Sequence, residues 1–202
     1  VVNPASFEYE ICFKCHAGST TATLTNERWH GQIDKRLVFA TGNPSFHPVI
    51  DTGKNLNVPS LPSSTSPDQS MDENTIIYCS DCHDSDQTPK ISGTGPAGPH
   101  ASIYSPILRE RFETADGTQE SYSAYALCYR CHDRVSILGD NSFKKTGASP
   151  LSGHSGHISI SSISCNTRHD PHGGLEYGIS GSHPHLLTVD PNVVTPAGGP
   201  HV

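Results

Sequence analysis

The chain has 202 residues, enough for one domain over 1–202. Leu, Ile, Val and Phe number 40, against 60 for Gly, Pro and Ser. That balance excludes a conventional well-packed α/β enzyme and, taken alone, describes a chain that cannot bury enough apolar surface to offset its ordering entropy. The net charge of -7 and the pI near 6.0, with no basic stripe, exclude a nucleic-acid partner. No apolar run approaches the ~20 residues of a membrane span. In chain order, Asn3 and Pro4 read as N-cap and first residue of a short helix that carries YEICFKCH (9–16). The stretch PSLPSSTSPDQS (59–70) reads as a loop, CSDCH (79–83) as a second short helical site, and SGTGPAGP (92–99) as a loop again. A longer helix is expected from about Gln119 to His132, and the tail PNVVTPAGGP (191–200) is irregular. Strands have little support. The fold class expected is mostly irregular coil with a few short helices and little strand.

The 7 Cys and 13 His oppose a disordered reading. Six cysteines form three Cys-x-x-Cys pairs, Cys12/Cys15, Cys79/Cys82 and Cys128/Cys131, each followed at once by a histidine: His16, His83 and His132. Cys-x-x-Cys-His is the attachment signature of c-type haem: two thiols on one helical turn add to the haem vinyl groups, and the next imidazole ligates the iron. With 13 His in 202 positions, chance would place His after all three pairs about 3 times in 10,000. A zinc ribbon uses such pairs two at a time and leaves one over. Disulfides within the pairs give the histidines no role.

The seventh cysteine, Cys165, lies in SCNTRHDPHGG (164–174). Cys165 and His169 keep the spacing of Cys12 and His16, with Arg168 in place of the second thiol. The segment reads as a fourth haem site that has lost one thioether and kept its axial histidine. The alternative is a free cysteine in a three-haem chain. Spacings of 67, 49 and 37 between the first cysteines are too irregular for a solenoid, although YEICFKCH and YALCYRCH (125–132) look duplicated.

Nine further histidines remain, in a chain that needs up to four distal ligands. The candidates are His47, His100, His154, His157, His172 and His185, with His30, His183 and His201 ranked below them. His154 and His157, like His169 and His172, are three apart, which on a helix puts both rings on one face. Met71 is the only methionine, so bis-histidine coordination is expected. Such iron has no open position: it passes electrons, is not an enzyme centre, and has a low potential relative to His/Met iron. A chain starting at Val1, without Met or an apolar leader, is expected of a mature exported protein.

The segments ALCYRCHDRVSIL, GHSGHI, CNTRHDPHGG, HLL and ICFKCH…NPSFHPV resemble the outer-surface multihaem cytochromes of metal-reducing bacteria, in particular tetrahaem filament-forming cytochromes. The resemblance covers most of the chain. It implies an extracellular or cell-surface protein, secreted through the periplasm, whose polypeptide wraps a chain of four bis-histidine haem c groups. It further implies head-to-tail self-association into a conductive filament that passes electrons to other cytochromes or to an external acceptor such as metal oxide. In such filaments a neighbouring subunit can supply one distal histidine. Arg168 departs from the family pattern and puts the second thioether of the fourth haem in doubt. The alternative function is a monomeric soluble periplasmic electron carrier.

Overall fold

The computed structural model describes residues 4–18, 34–61, 71–143, 150, 152–174, 185 and 186. The described chain is 28% helical and 4% strand, so the expected coil with a few short helices and little strand is what is found. No helix among the described residues is long and apolar enough to cross a membrane. The loop at 92–99 is irregular as expected. The tail at 191–200, most of the loop at 59–70, and His30, His183 and His201 lie outside the described residues.

The chain divides into two compact units: one formed by Val1–Leu56 with Asn166–Val202, the other by Asn57–Cys165. In the first, helix α1 spans Glu8–His16 and helix α2 Lys35–Val38. Strand β1 (Ser45–Phe46) pairs antiparallel with β2 (Gly173–Gly174), Ser45 opposite Gly174 and Phe46 opposite Gly173. Helix α1 does not start at the expected Asn3–Pro4. Its N-cap is Phe7, because the Glu10 carboxylate accepts from the Ser6 and Phe7 amides at 2.6 and 3.1 Å and so covers donors that a helix start leaves open. Asp34 caps α2 through the Arg36 amide at 3.1 Å, and Asn43 closes its far end on the Leu37 and Val38 carbonyls. Aromatic contacts run from Tyr9 to Phe13 and from Phe13 to buried Phe39, and Val38, Phe46 and Val49 complete a small core. A Cβ on Gly173 would overlap the Val38 carbonyl, so β2 needs glycine there to lie against the end of α2.

The second unit contains helices α3 (Cys79–Cys82), α4 (Ala126–Tyr129) and α5 (Arg134–Leu138), with a π-helix over Ser155–Ile160. Its core is Ala124, Tyr125, Tyr129 and Ile158, with Phe112, Ile137, Leu138 and Cys165 packed against it. Tyr129 donates to Glu120 at 3.0 Å, and Arg134 grips both oxygens of the same carboxylate at 2.8 and 2.5 Å.

Two helical expectations fail for local reasons. The helix expected over Gln119–His132 shortens to the single turn of α4. Ser121 Oγ accepts the Ala124 amide at 3.1 Å, an N-cap type of bond that starts a turn only at Ser121, and Tyr125 at φ -123° and ψ 32° departs from helical geometry just before α4. His169 and His172 are not on a helix: Pro171 lacks an amide proton and turns Asp170 away from helical geometry, so the chain runs into β2 instead. His154 and His157 do lie on one helical stretch, which widens to a π-helix from Ser155 onward.

Candidate haem-attachment sites

None of the seven cysteines is in a disulfide, so none of the three Cys-x-x-Cys pairs is one. In the first unit, Cys12 and Cys15 occupy α1, three residues apart on one turn, and His16 is exposed at its last position. In the second unit, Cys79 and Cys82 bound the single turn of α3, which reuses the device of α1: the Asp81 carboxylate accepts from the amide of the N-cap Tyr78 at 2.8 Å. Cys128 sits on α4 and Cys131 in the following turn, where the Cys128 carbonyl receives both the Cys131 and the His132 amides at 3.2 and 3.0 Å. Each Cys-x-x-Cys pair therefore lies on a helical turn that ends at its histidine.

Burial pushes the Cys82 and Cys128 thiols up, Cys128 well above its ordinary value, and pushes Cys165 up to about 12. These sulfurs stay protonated near neutrality.

The imidazoles share a more specific feature. His83 Nδ1 meets the Pro106 carbonyl at 3.1 Å, and His169 Nδ1 the His185 carbonyl at 2.9 Å. His47 Nδ1 meets the Pro171 carbonyl. His172 Nδ1 meets Asp170 Oδ1 at 3.1 Å, His132 Nδ1 the Ser60 hydroxyl at 2.8 Å, and His154 Nδ1 the Ser142 hydroxyl at 3.4 Å. A carbonyl or carboxylate in that place takes the Nδ1 proton and leaves the Nε2 lone pair for a metal, the arrangement found behind metal-bound histidines. Burial lowers the pKa of His47, which keeps that ring neutral and able to ligate. His185 differs: Asn55 Nδ2 donates to its Nδ1 at 2.5 Å, which places its proton on Nε2. Its carbonyl, set by left-handed φ angles of 67° at His185 and 58° at Leu186, anchors His169.

The remaining distal candidates are held by other means. Phe143 meets His154 edge-on at 5.4 Å and stacks on His157 at 5.6 Å with the rings 2° from parallel. His100 is exposed, and its amide donates to the Gly98 carbonyl at 2.8 Å. Gly98 is in turn tied to fully buried Asp84.

Asp84, Asp133 and Asp170 were not among the sequence candidates, yet each directly follows a motif histidine. Asp84 accepts from Ser85, Thr88 and Gly98 and closes the 84–98 loop. Asp133 caps α5 through the Val135 amide at 2.8 Å. Asp170 receives the His172 amide at 2.8 Å; burial raises its pKa, but the hydrogen bond and charge of His172 outweigh this and the net direction is down. The recurring His-Asp pair was the signal for these residues. Nothing local marks Ser60, Ser142 or Phe143.

The residues suit a haem on one further count. Apolar side chains beside the motifs lie in solvent: Ile11, next to Cys12, is 58% exposed, and Tyr78, next to Cys79, is 52% exposed. An apolar macrocycle attached at the neighbouring thiols has such surface to cover. Cys165 ends one compact unit and Arg168 and His169 belong to the other, so the unit boundary falls within the fourth motif. Half-buried Arg168 has its pKa lowered by desolvation. Compared with family models, with curated proteins and with solved structures, the chain matches none.

Proposed function

We propose that this chain is a multihaem c-type cytochrome that carries electrons, and that it does so outside the cell as the subunit of a head-to-tail filament. The observation that supports it most is the conjunction of Cys-x-x-Cys pairs on short helical turns with imidazoles held from behind at Nδ1. Cys12, Cys15, Cys79, Cys82, Cys128 and Cys131 hold three haems, and Cys165 holds a fourth by a single thioether. His16, His83, His132 and His169 are the proximal ligands. His47, His100, His154, His157, His172 and His185 are the pool for the distal positions.

When bound, haem supplies a one-electron iron couple. The chain's part is to fix the imidazoles, to keep both axial positions filled so that no substrate binds, and to exclude water with the loops around them. The filament, the extracellular location and a mineral or cytochrome acceptor rest on the resemblance of the motif segments to filament-forming cytochromes. A head-to-tail contact that does not close on itself is the geometry such a polymer needs.

The deciding experiment is a pyridine haemochrome count with intact mass on the purified protein. Four covalent haems per chain are expected; none would end the reading. Negative-stain imaging then separates filament from monomeric carrier, since discrete particles of one 21.6 kDa chain would refute polymerisation.

A further inference from the structure

The first unit holds two candidate ligands in one bracket. The His47 amide donates to the His172 carbonyl at 3.2 Å, extending the β1–β2 pairing by one bond. The segment Asp170–Pro171–His172 then anchors both rings: the Pro171 carbonyl takes His47 Nδ1, and Asp170 Oδ1 takes the amide and Nδ1 of His172. Buried Phe39 meets the His172 ring edge-on at 5.6 Å and 85°, fixing it from the side. The two imidazoles thus share a scaffold and differ in the group that Nδ1 hydrogen-bonds, a neutral carbonyl for His47 and a carboxylate for His172, while the Asp170 charge also reaches His47 without a hydrogen bond.

That difference has an electronic consequence. A carboxylate draws the Nδ1 proton more strongly than a carbonyl does, which makes the ring a better donor at Nε2. A better donor stabilises ferric over ferrous iron. The Asp170 side chain is 14% exposed, so solvent screens the effect weakly. Lys35, partly buried and interacting with Asp170, moderates the local charge without replacing the hydrogen bond.

Resting on the haem reading above, we propose that Asp170 is a positioning residue that lowers the potential of the iron bound by His172 below that of the iron bound by His47. The redox step is a one-electron change at that iron; no bond breaks and the proton stays on Nδ1. One bracket then offers an electron two neighbouring sites of unequal potential.

The test is a spectroelectrochemical titration of the haem-loaded Asp170→Asn variant beside the wild type. The midpoint of one redox step is expected to rise by about 59 mV for one electron, a roughly tenfold fall in the ferric/ferrous ratio at fixed potential. The other steps, the haem count and the low-spin spectrum should stay as they were, and Asp170→Glu should return the step toward its original position. Unmoved steps in a fully loaded Asn variant would overturn the proposal. If that variant fails to load, electron paramagnetic resonance of the wild type decides. One low-spin species with a stronger axial field supports the assignment; a single uniform set overturns it. A wild type without any haem defeats the parent reading instead, and the haemochrome count reads that outcome separately.

Discussion

The first and third Cys-x-x-Cys-His segments share a pattern and differ in support. YEICFKCH makes a nine-residue helix of its own, with its start covered by Glu10 and with Cys15 and His16 exposed. YALCYRCH makes a single turn, α4, with Tyr125 and Tyr129 in the core. Its histidine is held by Ser60, 72 residues earlier, and the Ser60 carbonyl also receives the Asp133 amide at 3.0 Å. Ser136 completes the clamp on the Pro59 carbonyl at 2.9 Å. The same Cys-x-x-Cys-His pattern can therefore be organised by a local helix or by distant partners around a small aromatic core.

Substitutions should separate the two arrangements. The largest effect is expected from Tyr129→Ala, which removes a buried ring, its bond to Glu120 and its contact with Arg134. A loss of about 3–5 kcal/mol in chemical denaturation follows from large-to-small core replacement. A loss under 1 kcal/mol would show that side chains contribute little to this core. Cys165→Ala, at the edge of the same cluster, should lower the haem count from four to three, and an unchanged haemochrome count would refute a single-thioether attachment.

Smaller effects probe the supports themselves. Glu10→Ala should cost about 1 kcal/mol at the start of α1, and circular dichroism of a peptide spanning residues 4–18 should show the lost helicity; equal helicity in the two peptides would refute this capping role. Ser60→Ala should shift the potential and axial signature of the haem at His132 and leave that at His16 unchanged; equal shifts at both would remove the distinction. The smallest effect is acid sensitivity at Glu113, whose pKa is lowered by hydrogen bonds from the Ala115 amide and from Arg111. Because the folded value lies below the ordinary 4.5, its contribution is fully present above that pH and lost as the pH falls through the folded value. Glu113→Gln should flatten that limb of the stability curve, and an identical acid limb would count against the linkage.

Sequence alone carried whatever depends on neighbours along the chain. The cysteine spacing, the histidine that follows each pair and the short turns beneath them are set within a few residues, and Gly, Pro and Ser kept the rest irregular. The same local reading overran where the backbone left helical geometry, at Tyr125 before α4 and at Pro171 after His169. The backing of the imidazoles was decided by tertiary structure, because the partners are far away in sequence: Pro106 lies 23 residues from His83, and Pro171 lies 124 from His47. Phe143 between His154 and His157, the wide helical turn beneath them, and the unit boundary inside the fourth motif belong to the same class. A hydrogen bond across a long loop leaves no periodicity to read, and its direction at Nδ1 determines which nitrogen an iron can use.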